Sequence, residues 1–406
     1  MSTGTAEKKR SYTGPVFLSG GFRPFFLFGA IWAALAMVLW VAVITGTLEL
    51  PTAFDPVDWH AHELMFGYGA AIVCGFLLTA VPNWTGRLPV MGWPLAVLAG
   101  LWVLGRVVVT FGAALPTWVV IIGDLSFLAA LVIVIAREIW SGANWRNLPV
   151  VGLCLLLLAG NAAFHVVAAQ SGVAASGIGA RLGAGALVML LSVIGGRVVP
   201  SFTRNWLARR GPGRMPTPIN RYDEVTLGVS GLALAAWILV PVHSLTAAGL
   251  ALAGLLQAIR LVRWAGYRTF AEPLVVVLHI AYAFVPVGFL LLATAWLTPS
   301  VPALVGVHAW MTGAVGLMTL AMMTRASLGH TGRELCAGLA ETAIFGMALL
   351  AVLARIAAGL TGQTWALDLS GLAWIGAFGL FSVAYWPVLT GPRVAAKKPM
   401  RAPQPS

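Results

Sequence analysis

Charge is what this chain has least of. Asp and Glu together number 13 in 406 residues and all charged types reach 9%, against 59% hydrophobic residues and a mean hydropathy of +0.90. A water-soluble domain needs a polar surface, so this composition excludes one and reads as an integral membrane protein. Cysteine is equally sparse. Cys74, Cys154 and Cys336 stand alone in apolar runs and form neither CxxC nor CxxCH, which argues against disulfides and covalently attached haem and leaves packing as their role. No P-loop, GxSxG, HExxH or nucleotide fingerprint occurs in a usable context. A signal peptide is not expected either: the run beginning at Phe22 is far longer than a signal core and lacks a convincing cleavage site, so the first helix is retained.

What the chain does have is apolar runs of membrane-crossing length. Twelve spans are read at roughly 24–48, 61–82, 93–113, 117–140, 148–170, 177–200, 225–242, 245–265, 273–296, 302–325, 337–360 and 366–390. The seventh and eighth are separated by little more than Pro241, His243 and Ser244. An all-α integral membrane fold follows, with a single membrane domain over 21–392 and basic cytoplasmic tails at 1–20 and 393–406. Nearly all Lys and Arg fall in the tails or after even-numbered helices, including Arg87, Arg137, Arg204, Arg268 and Arg333. The positive-inside rule therefore puts both termini in the cytoplasm. The formal net charge of +12 is explained by that bias and by anionic lipid, without nucleic acid.

A repeat organises the spans. His62 precedes Arg87 by 25 residues, and His308 precedes Arg333 by the same number. Met65 and Met311, Gly67 and Gly313, Ala80 and Ala326, and the triplets Thr85-Gly86-Arg87 and Thr331-Gly332-Arg333 share this register. The sixth span adds Val199-Pro200 against Val81-Pro82, and Arg197 with Thr203 against Arg325 with Thr331. Offsets of 118 (Val81 to Val199) and 128 (Arg197 to Arg325) approximate one four-helix block. Three pseudo-symmetric blocks are expected at about 24–140, 148–265 and 273–390, making helices two, six and ten equivalent.

Histidines carry the expected chemistry. His60, His62, His165, His243 and His308 share one depth near the outer face, whereas His279 lies toward the inner face. Ionisable groups at membrane depth are costly and usually functional. Because the repeat pairs His62 with His308, these two are the expected axial ligands of a b-type haem. His60 sits about 200° around the helix from His62, so it faces a second site or a carboxylate. Copper held by His60 and His165, with His279 as an addition, is the reading for that site. Arg106, Arg181 and Arg355 are candidates to bind haem propionates, or else pair with Asp124 or Glu341 or reach to headgroups. Glu63 either orients a ligand or favours the helix start. Met311, Met318, Met322 and Met323 read as core packing rather than a copper(I) site.

Several strings are specific rather than compositional: Gly21-Phe22-Arg23-Pro24-Phe25-Phe26, His60-Ala61-His62-Glu63, the run from Leu77 to Arg87, Gly195-Gly196-Arg197-Val198-Val199-Pro200, His279 and the run from Met323 to Arg333. In these the chain resembles the NnrS family over roughly residues 16–390. The resemblance implies a haem- and copper-containing inner-membrane protein of bacteria that respire nitrogen oxides, tied to the nitric-oxide response and to protection from nitrosative stress. It implies no established reaction. A more distant, architectural similarity is to haem-copper oxidase catalytic subunits, which also have twelve helices in three blocks and low-spin haem histidines on helices two and ten. This chain departs from them in placing His-x-His on helix two and in lacking adjacent histidines on helix seven.

The expected function is binding, sensing or turnover of nitric oxide, which reaches the bundle through the lipid bilayer. Turnover would make the protein an oxidoreductase and would require a respiratory electron donor. Two alternatives stand beside it: a multi-pass transporter of a small solute or metal, marked by broken mid-membrane helices, and a haem-copper-type redox enzyme or assembly factor for respiratory complexes.

Overall fold

The computed structural model describes residues 12–171 and 173–394. The tail positions Lys8, Lys9, Arg10, Lys397, Lys398 and Arg401 lie outside the described residues. Among those described, no strand occurs and twelve helices are long and apolar enough to cross a bilayer. They are α1 Phe22–Ile44, α2 Pro56–Thr85, α3 Trp93–Thr110, α4 Thr117–Ser141, α5 Trp145–Gln170, α6 Ile178–Leu207, α7 Arg221–Leu239, α8 Ser244–Arg268, α9 Pro273–Leu297, α10 Ala303–His330, α11 Leu339–Thr361 and α12 Thr364–Thr390. The chain is an all-α, twelve-span membrane protein. α7 and α8 are distinct because His243 ends the short break by capping α8, its Nδ1 accepting from the Leu245 N–H at 3.2 Å.

Several helices outrun their apolar runs for local reasons. α2 begins at Pro56, whose fixed φ suits the first helical position, so His60 and His62 fall inside the helix rather than at its edge. α6 continues through Pro200 as far as Leu207. At its other end α2 stops at Thr85, where Gly86 turns left-handed with φ of +70°. In α10 the equivalent Gly332 has φ of +77°. Thr85 Oγ1 donates to the Val81 carbonyl at 2.9 Å and Thr331 Oγ1 to that of Ser327 at 2.6 Å. The repeated Thr-Gly-Arg triplet is therefore a helix stop, with glycine chosen for the left-handed turn.

The same two helices share a second irregularity. Directly after His62, α2 becomes π-helical over Glu63–Gly69, and directly after His308, α10 does so over Ala309–Leu317. Both segments begin in the same repeat register. Neither helix is broken, so the discontinuous spans expected of a transporter are not what α2 and α10 present. π-helical turns concentrate at functional sites because they re-aim side chains without interrupting the backbone ladder.

Successive helices pack on one another. α4 packs on α5, α8 on α9 and α12 on α1, so the final helix of one expected block meets the first of the next and the ring closes. α2 and α10 each pack against α6 in the interior, and Tyr68 of α2 hydrogen-bonds Thr319 of α10. Outer helix faces carry exposed tryptophans at their ends, Trp93, Trp118, Trp140 and Trp365 among them, as interfacial anchors do.

Close backbone approach positions the site. α5 and α6 meet at Gly160, Gly179 and Gly183: a Cβ on Gly160 would lie 2.8 Å from Gly183 N, and one on Gly183 would lie 2.6 Å from the Phe66 ring. Without a hydrophobic drive between helices in lipid, such small residues supply the contact area. Replacing Gly179 by Leu should lower the thermal unfolding midpoint of the detergent-solubilised protein, at a cost of about 1–3 kcal/mol from overpacking. Gly346→Leu, where nothing lies within 4 Å of the added carbon, serves as the reference. Equal midpoints for the two variants would reject the close approach.

Candidate functional site

One of the buried polar groups lies on one side of α2; another joins Asp223, Ser230, Gln257, Arg260 and Tyr282 among α7, α8 and α9. His62, Glu63, Arg106 of α3, Asp124 of α4, and Asn161 and His165 of α5 are all buried. Asn161 and His165 are four residues apart and so project from one face of α5. Gly67 makes room for Arg106, since a Cβ there would lie 2.6 Å from Arg106 Nη1 and 2.8 Å from Glu63 Oε2.

Two ion pairs tie the group together. Arg106 donates from Nη1 to Glu63 Oε1 and from Nη2 to Asp124 Oδ1. Asn161 Nδ2 donates to Asp124 Oδ2 at 2.7 Å. His62 Nδ1 lies 3.1 Å from Glu63 Oε1, while its Nε2 lies 3.1 Å from Asp124 Oδ2 and 2.8 Å from Asn161 Oδ1. His165 Nε2 reaches the same Asp124 oxygen at 3.0 Å. Phe54, Phe66 and Phe164 stand around the His62 ring with centroids 5.2 to 5.4 Å away, sealing it from water.

This arrangement is short of positive charge. One guanidinium faces two carboxylates in a fully buried cluster, and both nitrogens of His62 face acceptor oxygens. A neutral imidazole has one N–H and cannot donate to both sides. Burying an uncompensated charge costs several kcal/mol. A proton on the second nitrogen of His62 resolves both problems, and so does a metal cation bound by His62 Nε2, His165 Nε2 and Asp124 Oδ2. These three residues can converge on a single metal ion. Their measured donor separations of 3.0 and 3.1 Å resemble the ~3.3 Å edges of a tetrahedral site with bonds near 2.0 Å.

His60 and His308 form a separate group on the other face of α2. The His60 ring stacks on Trp40 with centroids 4.5 Å apart, and its buried Nδ1 has no hydrogen-bond partner. His308 and Arg355 lie close enough to exert a Coulomb effect on His60, and Arg355 acts likewise on His308. His308 Nδ1 donates to the Leu304 carbonyl at 2.9 Å, which leaves Nε2 as the basic nitrogen.

The structure thus rearranges the expected site. It does not bring His62 and His308 together; the two-residue spacing that turns His60 and His62 to different faces points His62 at α4 and α5 and gives His60 the place beside His308. His60 and His165 are likewise not partners, because His165 meets His62 through Asp124. His279 stands apart from both groups, its Nε2 bonded to Thr203 Oγ1 at 2.8 Å. Of the three arginines considered for propionates, Arg106 is taken by Glu63 and Asp124, and Arg181 donates to the carbonyls of Ile238 and Ser176. Arg355 is the one beside the histidine pair. Asn161 was not among the expected residues, although the polar pair Asn161 and His165 at i and i+4 in an apolar helix is a legible signal.

Arg106→Met should destabilise the folded protein by about 3–5 kcal/mol, because it strands two buried carboxylates. Adding Glu63→Gln to that variant should recover part of the loss in a thermal midpoint measurement. A single variant as stable as the unsubstituted protein would show that the cluster is not held by these ion pairs.

No curated protein matches this chain. The family model described as NnrS protein matches residues 16–393, which takes in every element from the first span to the last and all the residues of both histidine groups. By that match over nearly its whole length, the chain belongs to the NnrS family.

Proposed function

We propose that this protein binds nitric oxide within the bilayer through two separate centres, a haem and a copper ion, and so limits nitrosative damage. Membership of the NnrS family makes it a membrane protein of the nitric-oxide response. The observation that supports the finer reading is the division of histidines: a closed His62–Asp124–His165 cluster whose donor atoms converge, and a separate His60–His308–Arg355 group with an unsatisfied ring nitrogen.

In this reading His60 of α2 and His308 of α10 hold the haem from pseudo-equivalent helices, and Arg355 pairs with a propionate. The Leu304 carbonyl fixes the His308 tautomer so that its Nε2 lone pair is available. His62 and His165 suit copper as imidazole donors, and Asp124 adds a carboxylate. Glu63 holds His62 by its Nδ1, and Asn161 holds Asp124. A haem held by both imidazoles would supply an iron to which nitric oxide binds only in exchange for one of them. The protein's own residues fix the imidazoles, neutralise charge and exclude water. Nitric oxide is small and uncharged, so it reaches the centres through lipid without a polar channel. The site lies in a bacterial inner membrane with the arginine-rich end of the bundle toward the cytoplasm, as the distribution of Lys and Arg favours. Any catalytic turnover draws on a respiratory electron donor.

Substitution separates the two centres. His308→Ala or His60→Ala should abolish the haem Soret band of purified, membrane-inserted protein while leaving copper in place. His165→Ala should do the reverse. Glu63→Gln should weaken copper binding by about 10–100-fold through loss of ligand orientation, with the haem spectrum unchanged. Retention of full haem after both His60 and His308 are replaced would reject the assignment.

A further inference from the structure

A cavity remote from both histidine groups lies where α2, α6 and α10 converge at the arginine-rich end of the bundle. Its volume is about 450 Å³, within the range of small-molecule sites. The repeat builds its wall. Phe76, Ile194 and Met322 line it from equivalent positions of α2, α6 and α10, and so do Thr79, Arg197 and Arg325. One turn further on, Trp84, Phe202 and His330 complete a third matching set. Successive members of each set keep the 118- and 128-residue offsets of the repeat, so the cavity sits on its pseudo-threefold axis.

The polar groups facing this space are unequal in charge. Two guanidiniums line it, together with Asn83 and Asn205, and no carboxylate does. Arg325 is 9% exposed, and its guanidinium lies over the Phe202 ring at 4.0 Å. Stacking of that kind covers the face of the guanidinium and leaves its N–H edge to donate. No protein acceptor takes up those N–H groups among the described residues. Glu272 pulls on Arg325 electrostatically but forms no ion pair with it, since its Oε1 accepts from the Leu274 and Ala337 N–H groups. Arg197 gives Nη1 to Asn147 Oδ1 at 2.7 Å and otherwise feels the cations Arg146 and Arg260. A guanidinium this buried and this poorly partnered is costly unless an anion joins it.

The geometry points to a binding site for an amphipathic anion, with a carboxylate or phosphate head held by Arg325 and Arg197 and an apolar body lying against Phe76, Trp84 and Phe202. Nitric oxide carries no charge and needs neither arginine, so this ligand is a different one. The planar fork of Arg325 suits either head in a bidentate manner. The same chemistry is offered by a soluble organic anion and by an anionic lipid.

Equilibrium dialysis of radiolabelled decanoate against the full-length protein in phosphatidylcholine nanodiscs tests this. Saturable binding of one decanoate per chain is expected, weakened at least about tenfold by Arg325→Gln or Arg197→Gln, as loss of a charged hydrogen bond predicts. Arg221→Gln, on an exposed helix start, should leave it unchanged. Should the arginine variants fail to insert, Ala326→Phe keeps both guanidiniums and fills the cavity from α10, and it should abolish binding. Nanodiscs of phosphatidylglycerol distinguish the sources: a tenfold weaker apparent affinity there identifies the lipid as occupant, and an unchanged one identifies a soluble anion. Absence of saturable binding, equal binding by Ala326→Phe, or competition by inorganic phosphate as strong as by unlabelled decanoate would overturn the proposal.

Discussion

The architecture turns on one electrostatic constraint: two carboxylates, a guanidinium and two imidazoles share a water-free volume between α2, α3, α4 and α5. In such surroundings a carboxylate without a partner costs several kcal/mol, so each member must be placed to within hydrogen-bond distance of another. The fold meets this with small residues. Gly67 lets Arg106 reach Glu63, and Gly105 of α3 makes room for Asp124, whose Oδ1 would lie 3.0 Å from a Cβ there. With His62 neutral, the cluster lacks one positive charge, which a proton or a metal cation supplies at the point where His62, His165 and Asp124 converge.

The irregular helices are part of the same solution. An unbroken α-helix fixes the heading of each side chain at about 100° from the last. A π-helical stretch directly after His62, and another directly after His308, changes that heading while keeping the backbone groups satisfied, as a lipid-embedded segment requires. Duplication then gives the chain two such helices, and α6, the third equivalent, carries no π stretch and no histidine at that register. One internal helix has lost the device that the other two keep. The arginine-rich end of the bundle retains threefold correspondence, whereas the histidine end has diverged.

Much of this was legible in the sequence. Scarcity of charge and the length of the apolar runs give twelve spans, and the Thr-Gly-Arg triplets mark true helix ends because glycine there must turn left-handed. Hydropathy began the second span at 61, between His60 and His62, whereas the helix starts at Pro56, a start that depends on proline rather than on apolar residues. Register could not decide which of the two histidines faces α10. The repeat aligns His62 with His308 in sequence, but equivalent positions in pseudo-symmetric blocks point to equivalent surroundings, not toward each other. His62 therefore looks into its own block, and its neighbour His60 meets the third. Asp124 was visible only as a partner for an arginine; its place beside two imidazoles depends on how α4 and α5 pack.

The central claim is the proposal that His62, His165 and Asp124 form a metal centre distinct from the His60 and His308 group. X-ray absorption at the copper edge of purified protein addresses it directly. The account predicts two imidazole nitrogens and a carboxylate oxygen at about 2.0–2.2 Å, as for such donors on a divalent ion of this size, and no iron neighbour in the first shell. Sulfur ligation, or a copper signal that survives replacement of both His62 and His165, would contradict it.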